Sequence, residues 1–373
     1  MNDLRASIVI SSYNYARFLP VAIDSALAQT YQRLEVIVVD DGSRDDSAEV
    51  IRGYGSRIIP LIKSNGGQAS AFNEGVKLSR GDVIIFLDSD DYLAPDTVAR
   101  AVELFRDPAV AKVHWNLEVV DESGTPTNTL VRDRLSEGDL RDVVLRKGPD
   151  GYSWPPTSGN AWARRYLETA LPIPELEFNT CPDLYLATLA PLYGTVKAIS
   201  QPQGFWRCHP VNASFRDSFA DNLRDGLRRA EQAVSTLERH AQALGLQVDP
   251  KELRFNSRWH QMKLALDRIE QAVHPGIPII LLDLDHWKAG KRLGAFPRFH
   301  FTEKDGEFWG LPADDRAAID ELERLRGKGA GFFVIPWPYG WTLDHYRGLD
   351  GHLRLKYRVA YEDASIAIFD LRG

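Results

Sequence analysis

Acidic side chains cluster where a strongly apolar stretch of the sequence ends. The segment Val83–Leu87 is apolar throughout and is followed by Asp88, Ser89, Asp90 and Asp91. Carboxylates at this spacing repel one another unless something positive lies among them. Carboxylate oxygens are hard ligands, so the Asp88 and Asp90 pair predicts a divalent cation that would neutralise a bound diphosphate.

Two other polar clusters also follow apolar strands. They are Ser11–Asn14 and Asp40–Ser43. In a parallel α/β sheet, ligands bind beyond the carboxyl ends of the strands, so the three clusters should share one edge. Tyr13 could stack on a base there and Asp40 could accept a hydrogen bond from a ring N–H. Each cluster alone could be only a turn with a helix cap, but together they favour a site for a nucleoside with a metal-bound phosphate.

The elements that must position these clusters alternate between strand and helix. Strand patterns occur in "SIVIS", "LEVIVVD", "RIIPLIKS" and "DVIIFLD", and helical patterns lie between and after them. Continuous apolar strands alternating with helices predict an α/β fold with a mostly parallel, Rossmann-like sheet covered on both faces. Pro60 cannot donate to a ladder, which places "RIIPLIKS" near an edge. No Gly-x-Gly-x-x-Gly and no Walker lysine follows the first strand, which argues against dinucleotide-binding and P-loop proteins.

The rest of the chain divides at changes of pattern. After a strand "AVAKVHWNLEVVD", a loop and helix "PPTSGNAWARRYLETA" and a helix "CPDLYLATLAPLYG", extended chain leads to residue 215. An amphipathic helix and a second helix at about Lys251–Val273 make 216–275 a helical segment. Residues 276–373 resemble a small α/β unit with its own strands and helices, including a helix over "WTLDHYRGLDGHLRLKY". We therefore expect three parts: 1–215, 216–275 and 276–373.

Composition limits the class of partner. The 373 residues carry 45 Lys and Arg against 52 Asp and Glu, a net charge of −7, which argues against nucleic acid. The two cysteines, Cys181 and Cys208, form no disulfide framework, and a reducing cytoplasm is expected. Arg224, Arg228 and Arg229 on the amphipathic helix would suit peripheral contact at the inner face of a membrane. Packing on the first domain is favoured, because acidic residues are mixed with them.

Two long stretches of the sequence resemble a known family. They are "ASIVISSYNYARFLPVAIDSALAQTYQRLEVIVVDDGSRDDS" and "NGGQASAFNEGVKLSRGDVIIFLDSDDYLAP". They are similar to the nucleotide-sugar domain of family 2 glycosyltransferases, which have the GT-A fold. The match is close over residues 6–96 and looser to about residue 215. The resemblance implies inverting transfer from a nucleoside-diphosphate sugar, a UDP-sugar above all, with Mg²⁺ or Mn²⁺.

The same resemblance implies roles for individual residues. Base and ribose would be held by Ser11, Tyr13 and Asp40, and Gly67 and Gln68 would lie along the nucleotide. Asp88 and Asp90 would be the Asp-x-Asp pair, with Asp90 the more direct metal ligand and Asp88 also near the nucleotide. The closing-loop segment "FWRCHPVNAS" supplies Arg207 for the diphosphate and His209 as a third metal ligand. Gly159 and Asn160 would line the sugar and acceptor side.

The general base is implied to be Asp183. The family takes its base from a Glu-Asp pair at a helix start, and here Cys181-Pro182 stands where the glutamate is usual. An inverting enzyme needs such a base to remove the proton of the acceptor hydroxyl. The alternative role for Asp183 is a helix N-cap.

Two other functions stay open at this point. A nucleotidyltransferase would share the sheet, acidic strand ends and metal, but it would want a basic glycine-rich loop that "SSYNYARF" lacks. A non-catalytic glycan-binding protein could use the tryptophans of the C-terminal part: Trp287, Trp309, Trp337 and Trp341. Tryptophans in a small domain are more often core residues. The acceptor, whether a surface glycan or polysaccharide, a lipid-linked glycan or a protein, is not specified.

Overall fold

A computed structural model describes residues 4–210 and 218–373. The chain forms two compact units. The first comprises Met1–Phe215 and Glu231–Leu253, and the second comprises Arg216–Ala230 and Arg254–Gly373. The helical segment 216–275 of the sequence therefore contributes residues to both units.

The elements are numbered in chain order. Up to residue 210 they are β1 (Ala6–Ser12), α1 (Leu19–Leu27), β2 (Leu34–Asp40), α2 (Ser47–Gly53), β3 (Ile59–Ile62), α3 (Gln68–Leu78), β4 (Val83–Asp88), β5 (Tyr92–Leu93), α4 (Thr97–Leu104), β6 (Val110–Val120), β7 (Pro126–Leu130), α5 (Arg141–Lys147), β8 (Asn160–Ala163), α6 (Arg164–Ala170), α7 (Pro182–Tyr193) and β9 (Thr195–Arg207). After residue 218 they are α8 (Phe219–Ala243), α9 (Pro250–Asn256), α10 (Arg258–Ala272), β10 (Ile279–Leu281), β11 (Arg292–Leu293), β12 (Phe296–His300), β13 (Glu303–Lys304), β14 (Glu307–Phe308), α11 (Asp315–Gly327), β15 (Phe332–Pro336), α12 (Trp341–His345), α13 (Arg347–Lys356), β16 (Arg358–Asp363) and β17 (Ile366–Asp370).

The large sheet of the first unit has the strand order β3-β2-β1-β4-β8-β6-β9-β5, with β7 paired to β6. The strands β3, β2, β1 and β4 are all parallel, as predicted. Beyond β4 the sheet is mixed, because β8 runs antiparallel to both β4 and β6. Strand β3 lies at the edge, where the missing N–H of Pro60 is tolerated.

The register of the parallel strands brings the polar clusters level. Ser12 on β1 lies opposite Asp40 on β2. On the other side of β1, Ser11 lies opposite Asp88 on β4. The three strands therefore end at the same height, and the residues after them share one edge of the sheet.

Helix α3 lies very close to the sheet on one face. A Cβ placed on Gly75 would lie 2.3 Å from Cγ1 of Val9, so only glycine allows this approach. Nearer the start of the helix, the rings of Phe72 and Phe86 stack with their centroids 3.9 Å apart. This packing fixes the start of α3, which borders the polar edge.

The second unit is built around the sheet β11-β12-β10-β15-β17-β16. Alternate residues of its central strands face opposite sides. Phe333, Ile335 and Phe369 belong to a core shared with α11 and α13, whereas Phe332 and Val334 belong to a core shared with α10. Both faces of this smaller sheet are therefore covered, and the expected α/β character of the C-terminal part is confirmed.

Some elements differ from the sequence-based prediction. The helix predicted over about Lys251–Val273 is two helices, because Ser257 adopts the extended conformation that serine favours before a helix. The helix predicted over 341–357 also divides, at Tyr346. The carboxylate of Asp315 accepts hydrogen bonds from the N–H groups of Gly348 and Leu349, at 2.8 and 3.1 Å, and so satisfies the first turn of α13. In the described ranges 4–210 and 218–373, no helix is both long and apolar enough to cross a membrane.

Candidate functional site

A cavity of about 590 Å³ opens at the polar edge of the large sheet. Its walls come from the ends of β1 and β4, the loop before α3, the turn before β8 and the start of α7. The lining residues are Ser11, Ser12, Tyr13, Asn14, Tyr15, Asp41, Asn65, Gly67, Gln68, Ala71, Asp88, Ser89, Asp90, Pro156, Thr157, Asn179, Thr180, Cys181, Asp183 and Trp206. This volume lies within the range of about 300–1,000 Å³ that is typical of small-molecule sites.

Residues after β1 form the mouth of the cavity. Tyr13 is 41% exposed and lines the cavity, so it can be reached by a flat ligand. Asn14 has a φ of 59°, and its side-chain oxygen accepts a hydrogen bond from the N–H of Arg44 at 2.8 Å. Its own N–H donates to the hydroxyl of Ser43 at 2.9 Å. These contacts hold the loops after β1 and β2 together.

The two aspartates after β2 have different surroundings. Asp40 is buried, does not line the cavity, and accepts hydrogen bonds from the hydroxyl and the N–H of Ser43. Asp41 lines the cavity and forms an ion pair with Lys63, with 2.6 Å between Oδ1 and Nζ. Its carboxylate also accepts from the N–H groups of Gly66 and Gly67, at 2.9 and 2.7 Å. Asp41, which the sequence analysis did not single out, therefore shapes the loop before α3.

The loop before α3 is held against the segment that precedes α7. Gly67 has a φ of 89°, and a Cβ there would lie 1.6 Å from Oδ1 of Asn179. The N–H of Gln68 donates to the carbonyl of Asn179 at 2.9 Å. Across the cavity, Nε2 of Gln68 donates to Oδ1 of Asp88 at 2.6 Å. Gln68 thus lies beside Asp88, and Gly67 and Gln68 both line the cavity.

The acidic cluster at the end of β4 is crowded with negative charge, with Asp91 buried and Asp88 and Asp90 half-buried at the cavity. Burial, then the charges of Asp91 and Asp90, hold the pKa of Asp88 well above its usual range. The pKa of Asp91 is raised by burial and then by Asp90. Asp91 accepts from the hydroxyl of Ser158 at 2.6 Å and from the N–H of Arg207 at 3.0 Å. Asp91 therefore joins this turn to β9 and to the turn before β8.

His209 and Arg207 both contact the turn that carries Asp90. Nε2 of His209 lies 3.1 Å from Oδ2 of Asp90, and its fully buried ring packs on Phe18, with centroids 4.8 Å apart. Nε of Arg207 donates to the carbonyl oxygen of Asp90 and Nη1 donates to that of Glu122, each at 3.0 Å. The guanidinium is thus buried beside the Asp90 turn and does not line the cavity.

The donor types at this turn fit a divalent cation. Two carboxylates and one imidazole are ligands that Mn²⁺ accepts, and the carboxylates suit Mg²⁺. The negative charge gathered at Asp88, Asp90 and Asp91 is what such an ion would balance. Within residues 4–210 and 218–373, no three His, Cys, Asp or Glu side chains already surround a common point. The ligand types therefore suit a divalent cation, although the described side chains are not already arranged as a complete coordination site.

Asp183 lies on the opposite side of the same cavity. It is the second residue of α7, after Cys181 as N-cap residue and Pro182 in the first turn. Its own Oδ1 accepts a hydrogen bond from the N–H of Leu184 at 2.9 Å. Its charge contributes to the raised pKa of Asp88, so the two carboxylates face one region of the cavity.

Lys112 is a buried amine behind this wall that the sequence analysis did not identify. It lies on β6, and its Nζ is 5.2, 5.4 and 5.2 Å from the ring centroids of Tyr152, Trp154 and Trp162. Burial holds the pKa of Lys112 well below its usual range, and the charge of Asp183 opposes this effect. A lysine inside an apolar strand was the only signal that the sequence offered.

Gly159 and Asn160 shape the turn before β8 and do not line the cavity themselves. The amide of Asn160 donates to the carbonyl oxygens of Pro155, Pro156 and Thr157, at 3.1, 2.6 and 3.3 Å. Pro156 and Thr157 do line the cavity. Gly159 and Asn160, predicted to line the acceptor side, therefore support the cavity-lining residues Pro156 and Thr157 and do not contact the cavity themselves.

Comparison with known proteins matches part of the chain to a family. Residues 7–150 match the profile of the family described as Glycosyl transferase family 2. An uncharacterized glycosyltransferase of Nostoc sp. is 35% identical over 215 residues, which are 56% of this chain and 66% of that protein. An uncharacterized glycosyltransferase of Rickettsia prowazekii is 39% identical over 141 residues, which are 37% of this chain and 44% of that protein. The chain thus spans slightly less than two thirds of the first relative and under half of the second.

Similarity to a solved structure extends over nearly the whole chain. The S. aureus protein TarS, residues 1–349 in complex with UDP-GlcNAc, aligns with a TM-score of 0.54 at 16% identity. The alignment covers 99% of this chain and 98% of that one. At this identity the likeness concerns the fold, and the predicted GT-A type α/β fold with a smaller C-terminal sheet is confirmed.

Proposed function

Because this chain belongs to glycosyl transferase family 2, we propose that it transfers a sugar from a nucleoside-diphosphate sugar, preferably a UDP-sugar, to an acceptor hydroxyl with inversion. The observation that carries the proposal is the common cavity of Asp88, Asp90 and Asp183. It combines acidic groups suited to a metal-bound diphosphate with a carboxylate on another wall, where an acceptor hydroxyl could be deprotonated. The level ends of β1, β2 and β4 support a nucleotide between them.

The donor nucleotide would lie across the strand ends. Tyr13 presents an exposed ring for the base, and Ser11 lies at the cavity wall beside it. Asp40, which does not line the cavity, would act on the nucleoside side indirectly by holding the hydroxyl of Ser43, while Asp41 keeps the loop of Gly67 in position. The backbone of Gly67 and the side chain of Gln68 would border the phosphates.

We propose that Asp88, Asp90 and His209 hold Mg²⁺ or Mn²⁺. When bound, the ion would supply charge stabilisation for the leaving diphosphate. In the chain itself, Arg207 keeps the carbonyl oxygen of Asp90 in place and so acts as a positioning residue. The packing of His209 against Phe18 fixes the imidazole beside Asp90.

Asp183 would act as the general base. As the acceptor oxygen forms a bond to the anomeric carbon, its proton passes to the carboxylate of Asp183. The bond between the anomeric carbon and the diphosphate oxygen breaks on the opposite face, which inverts the configuration. Pro156 and Thr157, held by Asn160 and Gly159, would border the acceptor side.

We further propose that the acceptor belongs to bacterial surface glycan or polysaccharide synthesis, as a glycan, a lipid-linked sugar or a protein, and that transfer occurs in the cytoplasm. In the described part of the chain, Cys181 and Cys208 form no disulfide, which supports a reducing compartment. Cys181 also lines the cavity, where an oxidised or disulfide-bonded form would alter the wall next to Asp183.

The proposal is tested by calorimetric titration of UDP, GDP and dTDP, each with and without Mn²⁺. We expect UDP to bind more tightly with the ion, and Asp90→Ala to remove that metal dependence. Asp183→Asn should keep nucleotide binding and lower kcat by about 10²–10⁴-fold. If no nucleotide binds in a metal-dependent way, the proposal is wrong. Inversion is read from the anomeric proton coupling of the product by NMR.

A further inference from the structure

A second cleft lies in the C-terminal unit and shares no residue with the cavity described above. Its volume is about 400 Å³. It lies at the carboxyl end of β15, between the loop that follows this strand, α12, α13 and the turn that joins β16 to β17. We call it the Trp cleft and define it by Trp337, Trp341, Asp344, Arg354, Glu362 and Asp363, which are among its lining residues.

The loop that carries the tryptophans is firmly held. The N–H of Trp337 donates to the carbonyl oxygen of Ser365 at 2.7 Å, which joins the loop to the β16–β17 turn. The hydroxyl of Thr342 donates to the carbonyl oxygen of Tyr339, also at 2.7 Å. The first contact ties the loop to a neighbouring turn and the second closes a turn within it, so the segment that carries both indoles is ordered.

The tryptophans of the second unit differ in exposure. Trp287 is a core residue with 5% exposure and its ring stacks on Phe219. Trp341, in contrast, is 45% exposed at the cleft, with His345 edge-on to its ring. An exposed indole in a concave, structured position is a ready surface for stacking. Among residues 4–210 and 218–373, neither Trp337 nor Trp341 donates a hydrogen bond from its indole N–H.

Most charged groups of the cleft already have partners. Arg354 donates to both carboxylate oxygens of Glu362, at 2.9 and 2.7 Å, and to Asp350 at 2.8 Å. Asp363 accepts from the side chains of Ser365 and Tyr361, at 2.5 and 2.7 Å. Asp344 alone among these carboxylates has no hydrogen bond or ion pair to the described part of the chain. The cleft thus offers two indole donors and one free carboxylate acceptor around an exposed ring.

We propose that the Trp cleft binds a neutral saccharide. A pyranose ring has a face of C–H groups that can lie on an indole and a rim of hydroxyl groups that both donate and accept hydrogen bonds. The rim would accept from the indole N–H groups and donate to Asp344. Acidic residues Asp344, Asp350, Glu362 and Asp363 outnumber Arg354, whose charge is already paired, so uronic acids and phosphorylated sugars are repelled.

A basic peptide is the other class of ligand that an acidic cleft could attract. It is disfavoured because Glu362, Asp350 and Asp363 already accept from Arg354, Ser365 and Tyr361. Only Asp344 is left to pair with a cationic side chain. The inference stands apart from the proposed transfer reaction, since the Trp cleft and the nucleotide cavity lie in different units.

The test is calorimetric titration of the full chain with cellotetraose, chitotetraose, mannotetraose, tetragalacturonate and a lysine-containing tetrapeptide. We expect at least one of the neutral tetrasaccharides to bind and the uronate not to bind. Trp341→Ala should weaken that binding by about tenfold through loss of the stacking surface. Asp344→Ala should also weaken it, and this residue has no contact whose loss would unfold the unit. Asp90→Ala should leave it intact, which separates this site from the nucleotide cavity.

Trp309→Ala is the matched control. Trp309 is 67% exposed in the same unit but does not line the Trp cleft, so its replacement should leave saccharide binding unchanged. Thermal melting of each variant reports whether the fold is kept. The proposal is overturned if none of the neutral tetrasaccharides binds, if Trp341→Ala and Asp344→Ala bind as well as the original chain, or if the uronate or the peptide is the ligand that Trp341→Ala loses.

Discussion

Nε2 of Gln68 donates a hydrogen bond to Oδ1 of Asp88 at 2.6 Å, joining the first residue of α3 to the last residue of β4. Asp88 lies next to the acidic turn that contains Asp90 and Asp91. Burial, and then the charges of Asp91 and Asp90, raise the pKa of Asp88 well above its usual range. The amide of Gln68 therefore fixes one oxygen of this carboxylate at the cavity wall.

Replacement of Gln68 by alanine tests this relationship. A hydrogen bond to a charged group contributes about 1.5–3 kcal/mol, so loss of the bond should let Asp88 turn away from its position. We expect Gln68→Ala to weaken Mn²⁺-dependent UDP binding by about tenfold or more. The measurement is calorimetry with and without the ion. Unchanged affinity would show that Gln68 does not position Asp88.

Gly67→Ala should be far more damaging. A methyl group there would lie 1.6 Å from Oδ1 of Asn179, and the φ of 89° disfavours any side chain. We expect loss of nucleotide binding and a lower melting temperature, as the loop moves away from Asn179. Gly53→Ala is the matched control, because a Cβ on Gly53 meets nothing within 4 Å and its φ is ordinary. Equal effects of the two substitutions would contradict this reading of the loop.

The sequence predicted the edge of the sheet well because the information there is local. Apolar strands that end in polar clusters placed Ser11, Tyr13 and Asp88 at one cavity, and the register of β1, β2 and β4 confirms that these ends are level. The strands β3, β2, β1 and β4 were predicted as parallel for the same reason. Short β8 was missed, since its four residues form a strand only by pairing between β4 and β6.

Nonlocal packing accounts for what the sequence did not predict at the site. Asp40 and Asp41 are neighbours with the same side chain, yet only Asp41 lines the cavity. The difference comes from Lys63 and the N–H groups of Gly66 and Gly67, which are more than twenty residues away along the chain. The aromatic surroundings of Lys112 arise in the same way.

Lys112 gives a prediction about stability. Its unfolded-state pKa is near 10.4, whereas burial lowers the folded-state pKa, so at neutral pH the unfolded chain binds the proton more tightly. Stability should therefore rise as pH increases toward the unfolded-state value. Lys112→Met removes this dependence, and we expect it to raise the free energy of unfolding at pH 7.

Urea unfolding of the Lys112→Met variant and the original chain at pH 7 and pH 9 checks this expectation. The difference in free energy of unfolding between the variant and the original chain should be smaller at pH 9 than at pH 7. Lys112→Arg provides the contrast, because a guanidinium is always charged. Its burial among Tyr152, Trp154 and Trp162 should therefore destabilise the fold at both pH values. A methionine variant that is less stable at both pH values would refute the argument.

His114, two residues further on β6, predicts acid sensitivity. Burial and then the charge of Lys112 lower its pKa to about 2, and its Nε2 lies 2.8 Å from the carbonyl oxygen of Ser136. Below about pH 6.5, His114 binds a proton in the unfolded chain but stays neutral in the folded chain. The free energy of unfolding therefore falls by about 1.4 kcal/mol for each pH unit of acidification.

His114→Gln keeps an amide donor for Ser136 and does not titrate. We expect the original chain to lose about 2 kcal/mol more than the variant between pH 6.5 and pH 4.5, because all other titrating groups, including Asp88 and Asp91 with their raised pKa values, are common to both. The difference between the two chains in urea unfolding, measured at each pH, isolates the histidine. Parallel stability curves over this range would show that His114 is protonated alike in both states and that its burial does not control the acid limit of the fold.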